Sequence, residues 1–379
     1  MNPERPQQPL SALVVHLLTA DAPEAHLDTL RVLLAHMPAC VLHIGPGSLP
    51  AEISGCVRRV PSLLAWRPVR TLALCRKLRS LLPDARAVIL HAWTPQAAEA
   101  ALPLVTGCRP LVIETAGLRL GRRTVGPSLH RLQAAPAAAF ICPTQVQQRR
   151  LAALGIAPAR CVVIGPATDQ TAIAAAARRR TELRGRLGFN DDQVVVLAVP
   201  PAGRDTGTLL AAWAAFVLEK VRHDVRLLLP DGDREGERVR RLVDACRHGW
   251  MVRHATPALR WAELLAVADI AAFLPSARAD VDALAGAAAA GVPLVASDLP
   301  EVREVVGFTQ SAGTGAGRVQ LCRPGDPADA TRKLLNLIES RARPRARPAE
   351  ADGCSAARAI EQYRQVYVNL AARRPAAAR

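Results

Sequence analysis

The chain has 379 residues, of which 50% are apolar and 22% are charged, a balance typical of globular proteins and not of disordered ones. At this length a single hydrophobic core normally gives way to two, so two domains are expected. The formal net charge is +16, carried almost entirely by arginine. Nucleic-acid binding is not predicted, because the basic residues come with neither a stacking platform nor a recognisable nucleic-acid-binding module.

Cysteine usage and the N-terminal segment indicate the compartment. Nine cysteines are dispersed between Cys40 and Cys354, with no C-x-x-C pair and no Cys/His cluster at zinc spacing. They predict reduced thiols and no metal site. The N-terminus lacks the basic and apolar segments of a signal peptide, and no apolar run is long enough to span a bilayer. These features predict a cytoplasmic protein.

Short apolar runs without polar alternation recur through the first half of the chain, as in parallel strands covered on both faces. The predicted strands are Ala12–Leu18, Cys40–Ile44, Ala87–His91, Leu111–Ile113, Ala138–Cys142 and Cys161–Ile164. Helical stretches separate them. Thr144 is a predicted N-cap for a helix that runs to Leu154, with Gly155 just after its end. This alternation predicts βαβ units in a doubly wound parallel sheet.

The same pattern restarts after residue 166. The predicted strands are Val194–Val199, Val225–Leu229, Met251–Arg253, Ile270–Leu274, Leu294–Ala296 and Arg318–Leu321. Between the first two, a helix is predicted from an apolar stripe. The stripe is formed by Leu209, Leu210, Trp213, Phe216 and Val217.

The α/β pattern therefore predicts two Rossmann-like, doubly wound parallel-sheet domains that face each other across a cleft. Their predicted limits are residues 1–165 and 166–340. A Pro/Arg-rich stretch at 341–354 is a predicted linker. A C-terminal helix at 355–372 follows, and we expect it to pack back on the N-terminal domain.

Several segments in the second half, taken in order, resemble motifs of the family 4 (group 1) glycosyltransferases. They are Gly203-Arg204, Asp231-Gly232-Asp233, Glu263-Leu264-Leu265 with Ala268-Asp269, Gly291-Val292-Pro293, Glu304-Val305-Val306, Pro324-Gly325-Asp326-Pro327, and Tyr363 with Val366-Tyr367. No single match is specific, but the ordered set covers roughly residues 140–372. In the first half, Leu90-His91-Ala92-Trp93 is similar to the V-H-x-H strand end of that family.

The resemblance implies the GT-B fold and a retaining, metal-independent transfer of a hexosyl group. The donor would be a nucleoside diphosphate sugar, and no other cofactor is implied. The acceptor would be an unidentified glycan or lipid-linked molecule. His91 and Asp280 would be catalytic. The residues implied in donor binding are Gly203, Arg204, Asp231, Gly232, Arg278, Asp282, Pro293 and Glu304.

Four positions depart from the family pattern. Its two glutamates, eight positions apart, fall here on Arg278 and Gly286. Its phosphate-binding lysine is Thr206, and its acceptor-side histidine is Ala116. Two interpretations follow: an active enzyme in which Arg204 and nearby aspartates replace the lost groups, or a degenerate homologue that binds a sugar nucleotide or a partner without turnover. A GT-B sugar-nucleotide epimerase is a more distant alternative, for which no acid/base carboxylates can be placed.

Each candidate also has a structural interpretation. Arg204 could be a solvated loop residue, Asp231 a turn residue, Glu304 an early-helix carboxylate and His91 a packed strand histidine. Asp280 and Asp282 could be ordinary loop or first-turn acids. They are retained as candidates because, in an active enzyme, they could do part of the work of the two missing glutamates.

A third hypothesis concerns the basic surface of the N-terminal half. Polybasic surfaces are attracted to anionic lipid, which predicts peripheral contact with the inner membrane face. A solvated arginine-rich surface that reflects coding bias is the alternative. The residues concerned are Arg58, Arg59, Arg67, Arg70, Arg76, Lys77, Arg79, Arg119, Arg122 and Arg123.

Overall fold

The structure is a computed structural model that describes most of the chain. The described residues are 12–19, 24–37, 39–44, 53, 57–60, 88–105, 110–115, 138–199, 207–230, 236–255, 259–277, 281–311, 318–340 and 356–372. They form two parallel sheets, one of seven strands and one of six. None of the described helices is both long enough and apolar enough to cross a bilayer.

The first sheet has the strand order β3-β2-β1-β4-β5-β6-β7. Its strands are β1 Leu13–Thr19, β2 Ala39–Ile44, β3 Val57–Val60, β4 Val88–Ala92, β5 Leu111–Glu114, β6 Ala138–Cys142 and β7 Cys161–Val163. Its helices are α1 Glu24–His36, α2 Pro95–Ala101 and α3 Gln145–Ala153, with short 3-10 turns at Leu102–Leu104 and Pro158–Arg160.

All six strands predicted for this half are present, and the helix predicted after Thr144 is α3. The Thr144 hydroxyl accepts a hydrogen bond from the Gln147 amide at 3.1 Å, and Gly155 has a φ of 88° just past the helix end. Strand β3 was not predicted. Arg58 and Arg59 interrupt its apolar pattern, as is common for the exposed edge strand of a sheet.

The second sheet has the order β10-β9-β8-β11-β12-β13. Its strands are β8 Val194–Ala198, β9 Val225–Leu229, β10 Val252–His254, β11 Ile270–Phe273, β12 Leu294–Ser297 and β13 Val319–Cys322. The remaining helices are α4 Gln170–Arg178, α5 Arg180–Arg186, α6 Gly207–Glu219, α7 Gly236–Ala245, α8 Trp261–Val267, α9 Asp282–Ala289, α10 Pro300–Ser311, α11 Pro327–Glu339 and α12 Ala356–Ala372. All six predicted strands are present.

In both sheets the strand order reverses direction once, between β1 and β4 and between β8 and β11. Ligands of doubly wound sheets bind at such reversals, outside the carboxyl ends of the strands. The topology therefore directs attention to the residues that follow β1, β4, β8 and β11.

Helix α6 forms where it was predicted, and its predicted apolar stripe is buried only in part: Phe216 lies in the core, and Leu209 and Leu210 pack partly against it. Trp213 and Val217 are 46% and 43% exposed. The residues that pack inward are mainly the small side chains Ala211, Ala214 and Ala215. Because this helix is apolar on nearly every side, the large side chains do not mark the face that approaches the sheet.

Helix α12 packs against the first sheet. Its Ile360, Tyr363 and Tyr367 share one apolar cluster with Leu18 and Ile89 of the N-terminal strands. The last described helix therefore helps to build the N-terminal domain, and it brings two buried tyrosines to the strands that end at the cleft.

Asp269, part of the matched Ala-Asp pair, has a structural role. Its carboxylate accepts hydrogen bonds from Arg180 at 2.6 Å, Arg184 at 2.9 Å and the Val195 amide at 2.8 Å. These bonds join α5 to the amino ends of β8 and β11, at the edge of the sheet opposite the carboxyl ends.

Candidate functional site

A recess lies where the carboxyl edge of the first sheet meets helix α9 of the second domain. It consists of two adjoining narrow spaces that share Thr29, Pro166 and Asp282. Trp93 and Glu114 line the smaller space, and Trp261 and Gly286 line the larger one. We call these two spaces together the inter-domain recess.

Glu114 is the carboxylate that the first sheet presents to the inter-domain recess. It is the last residue of β5 and is almost completely buried. Its Oε1 accepts a hydrogen bond from the Tyr363 hydroxyl at 2.7 Å and lies 2.9 Å from His91 Nε2. Because one oxygen of the carboxylate is hydrogen-bonded to both Tyr363 and His91, the carboxylate cannot rotate freely, and Glu114 is held in one orientation.

His91 lies behind Glu114. Because a carboxylate oxygen accepts, the network assigns the proton to Nε2, which donates to Glu114. The other nitrogen, Nδ1, then accepts from the Tyr367 hydroxyl at 2.8 Å. Both ring nitrogens are thus engaged inside the domain.

Burial sets the charge of this cluster. It lowers the pKa of His91 from 6.5 to about 3, so the ring is neutral at neutral pH. Burial, and after it the unfavourable interaction that the two imidazoles would have if both were protonated, also lowers the pKa of His16. The pKa values of Tyr363 and Tyr367 are raised by burial and by Glu114, so both hydroxyls keep their protons and act as donors.

Trp93 stands where the resembling family has its second histidine. Its indole N–H donates to His16 Nδ1 at 3.0 Å, and its ring stacks on His91 with 4.7 Å between centroids. The side chain therefore closes the His91 cluster on one side while lining the inter-domain recess on the other. It supplies an apolar ring there instead of a titratable group.

Across the recess, helix α9 begins at Asp282 and reaches Gly286 one turn later. The indole of Trp261 lies directly against Gly286: a Cβ added there would be 2.6 Å from Nε1 and 3.0 Å from Cδ1 of that ring. Trp261 is only 4% exposed, and its Nε1 has no hydrogen-bond acceptor among the described residues. Position 286, where the resemblance would place a glutamate, has no room for a Cβ while the Trp261 ring is in place.

Helices α10 and α3 connect the domains at the rim of the inter-domain recess, which Pro143 also lines. The two carboxylate oxygens of Glu304 accept from the amides of Gln145 at 2.6 Å and Val146 at 3.1 Å, at the positive end of α3. Glu301 is buried and pairs with Arg150 of α3. We call these contacts the α10–α3 clasp.

The described candidates from the sequence fall in four different places. Asp282 lines the inter-domain recess, and His91 supports Glu114 from behind. Glu304 caps α3 in the clasp. Pro293 is buried just before β12, at the amino edge of the sheet, where its carbonyl accepts from the Ala271 amide at 2.8 Å. The structure therefore brings Asp282 and the Glu114–His91 pair together and keeps Pro293 apart from them.

The remaining candidates lie outside the described residues. They are Gly203, Arg204, Asp231, Gly232, Arg278, Asp280 and the linker at 341–354. Most of the basic residues behind the membrane hypothesis also lie there. Among the residues that the structure does describe, no group of three or more histidine, cysteine, aspartate or glutamate side chains is arranged to hold a metal ion.

Three residues of the recess were missed from the sequence. Glu114 follows a predicted strand directly, and a carboxylate at a strand end on the cleft edge was a usable signal. Tyr363 was matched only as a motif position, without its contact to Glu114. No local signal identifies Trp261, because its partner Gly286 is 25 residues away.

Comparison with known proteins was informative for one half of the sequence and for the whole fold. The family model of glycosyltransferase family 4 matches residues 28–171. No curated protein matches the chain by sequence.

Many solved structures share the fold, and three of them illustrate it. HepE of Anabaena, solved with UDP and glucose, has a TM-score of 0.72 at 14% identity over 94% of this chain and 99% of that chain. A glycosyltransferase of Rickettsia africae has a TM-score of 0.68 at 12% identity, over 95% of this chain and 98% of that chain. WaaG, a glycosyltransferase involved in lipopolysaccharide biosynthesis, has a TM-score of 0.64 at 15% identity, over 96% of this chain and 100% of that chain. At such identities the likeness shows the fold alone, and it confirms the predicted pair of Rossmann-like domains as GT-B.

Proposed function

We propose that this GT-B chain, whose residues 28–171 match glycosyltransferase family 4, transfers a hexosyl group from a nucleoside diphosphate sugar to an acceptor hydroxyl. Transfer proceeds with retention and without a metal. The observation that carries the proposal is the inter-domain recess, where the fixed carboxylate of Glu114 faces the start of α9. HepE, which shares the fold, was solved with UDP and glucose.

In this proposal the N-terminal wall receives the acceptor. A carboxylate offers about four acceptor sites, so Glu114 orients an acceptor hydroxyl while it remains bonded to Tyr363 and His91. His91 is then a positioning residue, because it acts through Glu114. The acceptor is a glycan or a lipid-linked glycan, whose ring would lie against Trp93.

The C-terminal wall receives the donor. A leaving diphosphate needs cationic or amide donors aimed at its developing charge, and Arg204 and Arg278 are the residues we assign to it. Asp280 and Asp282 would accept hydrogen bonds from the hydroxyls of the transferred sugar. Of these four, Asp282 is the one whose place at the recess the structure describes.

The test is a hydrolysis and transfer assay over UDP-, GDP- and ADP-sugars. We expect turnover with at least one donor, a loss of about tenfold or more in Arg204→Ala, and no loss in Arg240→Ala, an exposed arginine on α7. Absence of both binding and turnover with every donor would exclude the donor site altogether.

One observation favours a second candidate, a homologue that binds a sugar nucleotide without turnover. The indole of Trp261 fills the space of a family carboxylate, so one chemical group of the donor site is absent. The same assay separates the candidates when it is combined with calorimetry. Donor binding without hydrolysis or transfer to any tested acceptor would favour this second function.

We also propose that the arginine-rich N-terminal half brings the protein to anionic membranes, where a lipid-linked acceptor would be met. The support is the concentration of positive charge in that half of the sequence. Co-sedimentation with liposomes tests it. Equal recovery with neutral and anionic vesicles would contradict the proposal.

A further inference from the structure

Helix α6 exposes large apolar side chains where a surface helix normally carries polar ones. From Leu209 to Leu218 it has no charged side chain. Its small residues, among them Ala211, Ala214 and Ala215, pack inward, while Trp213 and Val217 are close to half exposed. The outward face of this helix is therefore apolar and is left uncovered in a single chain.

The apolar surface continues past the end of the helix. Val221, four residues after Val217, is 66% exposed, and Trp250 is 46% exposed. The ring of His248 connects Trp250 to α6, with 6.4 Å between its centroid and that of Trp250 and 4.9 Å to that of Phe216. These are the large apolar side chains that stand exposed among the described residues, and we call them together the α6 patch: Trp213, Val217, Val221 and Trp250.

The α6 patch lies on the side of the second domain that is turned away from the first. Helices α6, α7 and α11 cover one face of the second sheet in a common apolar cluster, and the Thr331 hydroxyl of α11 donates to the Ala214 carbonyl at 3.3 Å. Helices α8, α9 and α10 cover the opposite face, and these helices contact α1 and α3 of the first domain. A molecule bound to the α6 patch would therefore leave the inter-domain recess open.

The charged residues around the α6 patch carry both signs. The Arg226 guanidinium lies 4.7 Å from the centroid of the Trp250 ring, and Arg253 donates to the Trp250 carbonyl at 3.1 Å. Asp224 follows α6 and accepts from Arg222 at 2.6 Å, and Asp244 is exposed at the end of α7. A purely basic rim would favour anionic lipid and repel a second copy. A rim of both signs can pair with itself, because in a two-fold contact each residue faces a different residue of the other copy.

The size of the α6 patch fits the centre of a protein interface. Its two tryptophans and two valines together expose about 400 Å², which is comparable to the largest apolar patch on a typical monomer. A stable interface buries about 800 Å² on each partner, with an apolar centre and a polar rim. The patch thus supplies about half of the area that a dimer needs, and its charged rim surrounds it.

We propose that the α6 patch is the interface of a homodimer, in which two copies of this chain pack α6 against α6 about a two-fold axis. Val217 lies between Trp213 and Val221 along the helix, so it is nearest the axis. Trp213 and Trp250 contribute most of the binding energy, as buried aromatic side chains do in interfaces. The dimer does not depend on the transfer reaction proposed above, and both recesses remain accessible in it.

The experiment is sedimentation velocity on the full chain from about 1 to 200 μM, where we expect a reversible dimer with a dissociation constant of about 1–100 μM. Val217→Glu and Trp213→Glu each place a charge in the apolar centre and should raise that constant at least about tenfold. Ala177→Glu, an exposed alanine on α4, is the matched control and should leave it unchanged. A wild type that stays monomeric over the whole range, or a dimer that survives both glutamate variants, overturns the inference.

A mixing experiment tests whether the partner is a second copy arranged about a two-fold axis. An equimolar mixture of Val217→Glu and Val217→Lys should associate at least about tenfold more tightly than either variant alone, because opposite charges then meet near the axis. Absence of this recovery overturns the two-fold arrangement. Cooperative thermal melting confirms that each variant folds, and the wild-type concentration series is decisive without any variant.

Co-sedimentation with vesicles of phosphatidylglycerol and phosphatidylcholine separates the dimer from a lipid-facing patch. We expect Val217→Glu to bind these vesicles as the wild type does. A loss of vesicle binding in Val217→Glu, together with a monomeric wild type, would assign the α6 patch to the membrane and overturn the inference.

Discussion

The two walls of the inter-domain recess differ in how fully their buried polar groups are hydrogen-bonded. On the N-terminal wall, Glu114, His91 and Tyr363 are buried and joined by hydrogen bonds of 2.7 and 2.9 Å. On the C-terminal wall, the Trp261 N–H has no hydrogen-bond acceptor among the described residues, and the residue next to it, Gly286, has no side chain. The N-terminal wall holds the Glu114 carboxylate in one orientation by hydrogen bonds, whereas the C-terminal wall is determined by the packing of the Trp261 ring against Gly286.

The largest expected effect tests the N-terminal wall through pH. His91 is neutral in the folded protein until about pH 3 but binds a proton near pH 6.5 when unfolded. Below pH 6.5 the unfolded chain therefore holds more protons, and stability falls as the pH is lowered. We expect a loss of about 1.4 kcal/mol per pH unit from this residue, with His16 acting in the same direction. Denaturant unfolding between pH 6.5 and 5 measures it, and a flat profile would show that the cluster is open to water.

His91→Phe should lower the free energy of unfolding at pH 7 by about 2–4 kcal/mol, because the buried Glu114 and Tyr367 each lose a partner. It should also reduce the dependence of the free energy of unfolding on pH by the contribution of one histidine, about 1.4 kcal/mol per pH unit below pH 6.5. Tyr363→Phe, which removes one donor from Glu114 but leaves the slope intact, is the matched comparison. Equal slopes in wild type and His91→Phe would contradict the charge assignment.

Gly286→Ala tests the C-terminal wall. Since its Cβ would lie 2.6 Å from the Trp261 ring, we expect a loss of about 1–3 kcal/mol in denaturant unfolding. Gly185→Ala, also in a helix but with nothing within 4 Å of the new Cβ, should gain about 0.5–1 kcal/mol. The same sign for both changes would mean that the indole does not fill this space.

The smallest expected effect lies at the rim, where the two walls are joined. Glu304→Gln weakens the contact with the α3 amides and should cost about 0.5–1 kcal/mol, mostly at low salt. Glu237→Gln on α7, an exposed glutamate with surface arginine partners, should cost less. Thermal melts at low and high ionic strength give the comparison, and a salt-independent loss in Glu304→Gln would argue against an electrostatic cap.

Twelve of the thirteen strands could be predicted from the sequence because the pattern that marks a buried strand lies within the strand itself. Buried parallel strands are continuous apolar runs, and a Thr before a helical stretch caps it wherever it occurs. The exceptions have local causes too: Arg58 and Arg59 hide an edge strand, and α6 is apolar on too many sides for its large residues to mark the buried face.

The candidate site was harder to predict because its contacts join distant residues. Asp282 was a candidate as a replacement for a missing glutamate, and Glu114 could have been found from its place at a strand end. The bond between Glu114 and Tyr363 spans 249 positions, and the indole that explains Gly286 belongs to another helix. A missing glutamate is visible in the sequence, whereas the side chain that takes its volume is visible only after folding.

The α10–α3 clasp has a consequence for the passage of molecules into and out of the cleft. Moving the domains apart at this rim requires Glu304 to leave two amides and Glu301 to leave Arg150. Salt screens the partly exposed Glu304 carboxylate, whereas separating Glu301 from Arg150 would leave the buried Glu301 charge without its counterion. We therefore expect the strength of the clasp to set how readily this rim opens, separately from how tightly the walls of the recess bind a ligand.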